Sequence, residues 1–109
     1  MNLIEVNKVL ANEIRFEILF WLKNPKEHFP KQHIKGDYKD GVCVQYIGQK
    51  SGLSLSTISH YLSMMQKAGL LVSSRFGKWT YYKRDEEGIS NYVNLLKEHL
   101  LSDKTSILK

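Results

Sequence analysis

A chain of 109 residues, 42% of them apolar, is sized for one domain with a modest core. It has no run of about 18 apolar residues, which excludes a membrane-spanning helix, and its single cysteine excludes an intramolecular disulfide framework. Sixteen Lys and Arg against 11 Asp and Glu leave a formal charge of +5, and a pI near 9.3 favours polyanionic partners.

Met1 to Glu5 lack a basic region followed by an apolar stretch, so no signal peptide is expected and the chain reads as cytoplasmic. Leu3, Val6 and Leu10, with Val9 beside them, predict a helix over 3–10. Asn12 is placed to cap a second helix, whose inward stripe is Ile14, Ile18 and Leu22, widened by Leu19. Asn24-Pro25 stops that helix near Lys23. Residues 24–41, punctuated by Pro25, Pro30, Gly36 and Gly41, read as an irregular connection long enough to be functional or mobile.

Val42 to Ser51 reads as a short helix with Cys43, Val44 and Ile47 inward, and Gly52 opens a turn. Ser54 caps the next helix, which runs to Ala68 with Ile58, Leu62 and Met65 on its buried side and Leu55 and Tyr61 flanking them. Gly69 stops it. Leu70–Arg75 and Trp79–Lys83, β-prone and rich in aromatics, flank Phe76-Gly77-Lys78 and predict a hairpin. A last helix over 86–101 aligns Ile89, Tyr92, Val93, Leu96 and Leu100, and residues 102–109 form a polar tail expected to fray. The predicted class is mainly α with a small β-hairpin. A helix-turn-helix followed at once by a hairpin is the winged-helix arrangement, one DNA-binding and dimerisation domain over 1–101.

The helix after Gly52 carries hydroxyls and an imidazole where an exposed helix face normally carries Lys, Glu, Gln and Arg. Short polar side chains let a helix approach a phosphate backbone or a groove floor closely. In a helix-turn-helix the second helix enters the major groove with its N-terminal residues nearest the bases. Ser54, Ser56, Thr57, Ser59, His60 and Ser63, with Leu55 among them, are the predicted contacts to double-stranded DNA. Arg75 and Lys78 lie at or beside the hairpin tip, where they would reach phosphate or the minor groove. Lys83 and Arg84 lie at the far end, and Trp79, Tyr81 and Tyr82 read as support. Leu3, Val6, Val9 and Leu10, with Ile89, Tyr92, Val93, Leu96 and Leu100, are apolar surface in excess of a small core. Pairing the terminal helices across a two-fold axis would bury it, giving a homodimer that matches palindromic half-sites.

Three blocks together resemble the ArsR-type family of bacterial winged-helix repressors. The first is Leu10-Ala11-Asn12-Glu13-Ile14-Arg15-Phe16-Glu17-Ile18-Leu19. The others are Gly52-Leu53-Ser54 through Thr57-Ile58-Ser59-His60-Tyr61-Leu62, and Ala68-Gly69-Leu70-Leu71 leading into the hairpin. The resemblance covers roughly residues 3–101 and implies homodimeric operator binding, with repression relieved by a metal or another inducer. The best-known members carry Cys-Val-Cys where this chain has Cys43, Val44 and Gln45, leaving one thiolate where a soft-metal site needs several ligands. Other members place Asp and His pairs on the last helix. Here His99, Glu98 and Asp103 lack a second His at the required distance.

No metal or other cofactor is therefore expected, although His28, His33 and Cys43, with Asp37 nearby, are candidates for a metal-sensing alternative. The plainer reading makes the histidines exposed loop residues and Cys43 a buried small hydrophobe. No glycine-flanked nucleophile turn and no phosphate-binding glycine loop is present, so no enzyme is expected. The sequence thus predicts a dimeric, DNA-binding transcriptional repressor with an unidentified inducer. The alternative from another class is a winged-helix protein-interaction module whose basic surface is incidental.

Overall fold

The computed structural model describes residues 1–29 and 38–103. Helix α1 (Leu3–Leu10) begins at Asn2, whose side-chain oxygen accepts the Glu5 backbone N–H at 3.0 Å. Asn12 does the same for α2 (Glu13–Lys23), accepting from Arg15 at 3.0 Å. Ser54 caps α5 (Leu55–Lys67) and Asp85 caps α6 (Glu86–Leu100) in the same way. Each cap satisfies an N–H that the first turn of a helix leaves without an internal partner.

After α2 the chain does not go straight into an irregular connection. Pro25–His28 form a single helical turn, α3. Proline ends α2 because it removes a donor, yet its fixed φ suits the first position of a new helix. Residues 30–37, with Pro30, His33, Gly36 and Asp37, lie outside the described residues.

The second correction concerns Val42 and Cys43, expected in a helix. They form a two-residue strand, β1, and α4 spans only Val44–Ser51. β1 pairs antiparallel with β3 (Trp79–Arg84), Val42 opposite Tyr82 and Cys43 opposite Tyr81. The approach to that pairing passes through Gly41 at φ 107°, where a Cβ would lie 2.5 Å from the Tyr82 carbonyl oxygen. Only glycine fits there. β2 (Leu71–Phe76) pairs antiparallel with the other edge of β3, from Leu71 opposite Arg84 to Phe76 opposite Trp79. The expected hairpin is therefore two strands of a three-stranded sheet in the order β1-β3-β2. Its turn is tighter than expected, since Phe76 belongs to the strand and Gly77 and Lys78 alone connect.

The core is built from one stripe of each element. Ile18 of α2, Ile47 of α4, Ile58, Leu62 and Met65 of α5, and Leu70 have no exposed surface. Val6, Val42 and Leu71 join them at 1–2% exposure. α5 (Leu55–Lys67) packs on α4, and its C-terminal end leads through Gly69 and Leu70 into β2.

Helix α6 (Glu86–Leu100) starts against that same junction. The Asp85 backbone N–H donates to the Leu70 carbonyl at 2.9 Å. A Cβ placed on Gly88 would lie 1.8 Å from the Gly69 carbonyl oxygen. At an open helical position alanine gains about 1 kcal/mol over glycine, so Gly88→Ala separates the two environments by sign. It is expected to destabilise the fold by about 3 kcal/mol through overpacking. A urea-unfolding midpoint that rose instead would show that the helix start is not in this contact.

Candidate nucleic-acid interface

The buried stripe of α5 decides what the rest of the helix presents. With Ile58, Leu62 and Met65 at 0% exposure, the opposite side holds Ser56, Ser59 and His60, all exposed. Thr57 and Ser63 are half-buried, on the margin. Ser54 is exposed, but its hydroxyl oxygen accepts the Thr57 backbone N–H at 3.1 Å and its O–H donates to the Thr57 hydroxyl at 3.0 Å. Two of the six predicted contact residues are thus engaged in starting the helix. Ser56, Ser59 and His60 are the ones whose side chains face outward with no local bond formed among the described residues.

Leu55 departs from its expected place beside the core. It falls on the stripe by spacing, three residues before Ile58, yet is 50% exposed. Helix α4 has nearly ended there, and the position facing it is Gly48, which offers no side chain.

The turn before α5 is closed by its own bonds. Gly52 takes the left-handed conformation at φ 73° and its N–H donates back to Gly48 and Gln49. The Ser51 hydroxyl donates to the Gly48 carbonyl at 2.8 Å and accepts the Leu53 N–H at 3.1 Å. A turn bonded this way holds α4 and α5 at one angle.

A second tie comes from Arg15, which the sequence placed in a family-like block without assigning it a contact. Its Nε donates to the Val9 carbonyl at 2.6 Å, and its guanidinium lies 4.7 Å from the centre of the Tyr61 ring. Asn12 reaches the Tyr61 hydroxyl at 3.5 Å. One planar cation thereby joins α1, α2 and α5, a geometry lysine does not reproduce.

The hairpin carries Arg75 and Lys78 exposed at its tip, as expected. Arg75 Nε donates to the Gly77 carbonyl at 3.3 Å and the Lys78 ammonium lies 5.2 Å from the Trp79 ring centre. Lys83 is also exposed. Arg84 is anchored instead: it pairs with Glu86 at 2.8 Å and donates to the Leu19 carbonyl at 3.1 Å. Tyr81 and Tyr82 are buried supports, as expected, and Trp79 is half-buried. Burial pushes the Tyr81 phenol above its ordinary range, with Cys43 and Tyr46 adding to the shift, and burial alone raises Tyr82. These phenols stay neutral at physiological pH, and the charge of the hairpin is that of its Lys and Arg side chains.

The terminal-helix residues divide. Leu3 and Val6, expected at a dimer surface, are 8% and 1% exposed within a single chain, because α1 lies directly over the core. That corrects their assignment. Leu10, Ile89 and Tyr92 pack partly against the same core, and Leu96 is half-buried. The Tyr92 hydroxyl donates to Asn7 Oδ1 at 2.5 Å, tying α6 to α1. Val93 and Leu100 are 42% and 73% exposed, and Ile4, which the sequence reading passed over, is 45% exposed.

Of the three metal candidates, His28 packs edge-on against Phe20 at 5.4 Å and Cys43 is a buried thiol in β1. His33 lies outside the described residues, and among those described no three His, Cys, Asp or Glu side chains gather around a common point.

Arg15→Lys is expected to lower stability by about 1–2 kcal/mol, since lysine cannot keep both the Val9 bond and the flat contact with Tyr61. Thermal unfolding followed by circular dichroism measures it; an unchanged midpoint would remove the clamp from the account.

No protein-family profile matches the chain. Among curated proteins, the uncharacterized HTH-type transcriptional regulator YbzH of Bacillus subtilis is 45% identical over 100 residues, 92% of this chain and all of that protein. A Halobacterium salinarum protein named as an arsenical resistance operon repressor of the ArsR type is 30% identical over 83 residues, 76% of this chain and 59% of that protein. Among solved structures, the homodimeric winged helix-turn-helix DNA-binding domain of Mb0332 from Mycobacterium bovis aligns with a TM-score of 0.59. The identity is 24%, covering 93% of this chain and 82% of that one. A regulator named for arsenical resistance aligns at a TM-score of 0.65 and 21% identity, covering 88% and 84%.

Proposed function

This chain belongs to the HTH-type transcriptional regulators, and on that premise we propose that it is an ArsR-type winged-helix protein acting as a homodimeric repressor at a palindromic operator. The observation that carries the reading is the outward face of α5. Ser56, Ser59 and His60 are exposed on a helix whose opposite side is immobilised in the core, one bonded turn after α4. In the proposed complex α5 enters the major groove and its hydroxyl and imidazole groups meet base edges, where Ser and Thr serve either donor or acceptor patterns. Arg75 and Lys78 at the hairpin tip lie along the phosphates and supply affinity that depends on salt but not on sequence.

Self-association is proposed through α1 and α6. Ile4, Val93 and Leu100 are exposed apolar side chains on two helices already joined by the Tyr92–Asn7 bond. The homodimeric state of the Mycobacterium bovis domain supports this arrangement. Two copies related by a two-fold axis would present their α5 helices to successive major grooves, about 34 Å apart. An inducer, if one acts, would favour a dimer in which that spacing is lost.

Gel-shift titration on the promoter fragment of the protein's own gene, against random DNA of equal length, tests the reading. Ser56→Ala combined with His60→Ala is expected to reduce discrimination between the two, each base contact contributing about 1–3 kcal/mol. Lys78→Ala is expected to weaken both equally and to flatten the salt dependence by about one unit of slope. A Lys78→Ala variant that changed sequence preference alone would overturn this division of roles, and binding with neither salt dependence nor preference would favour the protein-interaction alternative.

Val93→Glu is expected to raise the dimer dissociation constant about tenfold or more by placing a charge in an apolar contact. Sedimentation equilibrium reads it directly, and an unchanged constant would place the dimer surface elsewhere.

A further inference from the structure

The N-terminal end of α5 carries one exposed side chain that hydrogen bonding to DNA does not use. Leu55 is the first residue of the helix and is half-exposed among hydroxyls, while the other apolar residues of its stripe are sealed. It is not loose. One of its methyl carbons, Cδ1, lies 3.9 Å from where a Cβ on Gly48 would sit, so the side chain leans over the bare backbone of α4. Beside Leu55 lies an open groove of about 400 Å³, lined also by Gln45, Gly48, Gln49, Gly52 and Leu53. Its rim is polar, since Gln45 and Gln49 are exposed on α4. Leu55 is therefore a small apolar spot beside a partly polar groove, at the end of α5 that reaches furthest toward the bases in a helix-turn-helix.

In the major groove the chemical feature that matches such a spot is the 5-methyl group of thymine, the one apolar group that a base edge presents there. Resting on the DNA-binding reading above, we propose that Leu55 is a specificity-determining residue that packs against a thymine methyl in each half-site. Serine and histidine on the outward face read donors and acceptors, and a uracil presents the same acceptor as thymine. Leu55 distinguishes thymine from uracil by removing the 5-methyl from water.

The probe is a duplex selected from a random-sequence library by the full chain, with each thymine replaced in turn by deoxyuridine. Deoxyuridine keeps every hydrogen-bonding group and deletes the methyl. At one symmetry-related position per half-site the wild-type protein is expected to lose about three- to fivefold in affinity per methyl, the effect of one apolar carbon. Leu55→Ala, at an exposed position that leaves the core untouched, is expected to bind the thymine and deoxyuridine duplexes equally. Ser56→Ala is expected to keep the difference. Enrichment of a sequence in which every deoxyuridine is tolerated, or a Leu55→Ala variant that still prefers thymine, overturns the assignment of Leu55 alone. Failure to enrich any sequence overturns the DNA-binding reading and this one together.

Discussion

The removal of Ile58, Leu62 and Met65 from water is the constraint from which the rest of the molecule follows. Fully burying each such side chain contributes about 1.5–3 kcal/mol, so rotating α5 to expose all three would cost an amount comparable to a small domain's whole margin of stability. The helix consequently has one orientation. Its outer face owes its position to the core behind it rather than to anything it carries itself. That frees the outer residues to be poor helix formers, which is why a run of Ser and Thr is tolerated there.

Other contacts hold the surroundings of that helix in register. The Ser51–Gly52–Leu53 bonds set its angle to α4, and the Arg15 guanidinium joins its Tyr61 ring to α1 and α2. Its C-terminal end passes through Gly69 directly under the first turn of α6. Helices α1 and α6 carry the exposed apolar residues Ile4, Val93 and Leu100, and they are tied to each other by Tyr92 and Asn7. In the proposed dimer, a change in how two α1–α6 pairs meet would therefore be transmitted to α5 through packed atoms, which suits the proposed need for two DNA-reading helices to keep one spacing.

Much of this was legible from residue spacing. Asn12 and Ser54 cap helices where their chemistry suggests, Gly52 and Gly69 sit at helix ends, and the stripe of α5 is continuous in the core. The misread places share a cause. Val42 and Cys43 are apolar and short, and nothing local distinguishes a two-residue strand from the first turn of a helix; their partners, Tyr81 and Tyr82, are far along the chain. Leu3 and Val6 looked like spare surface because spacing shows that a helix has an apolar face but not what covers it. At Ser54 and Thr57 the residue type says nothing of the cap, because a hydroxyl at a cap and a hydroxyl facing a groove are the same residue type.

What the sequence determined by itself is the main helices, the hairpin and the chemistry carried by the face of α5. Periodicity, capping residues and glycine positions act over a few residues and are written in the chain. Which of the outward residues are free, that Arg15 is a clamp, that Arg84 is anchored to Glu86 and Leu19, and that Leu55 rests over Gly48 were decided only by the tertiary structure. Those outcomes depend on atoms brought together across long loops, and a side chain's role follows from its neighbours rather than from its type.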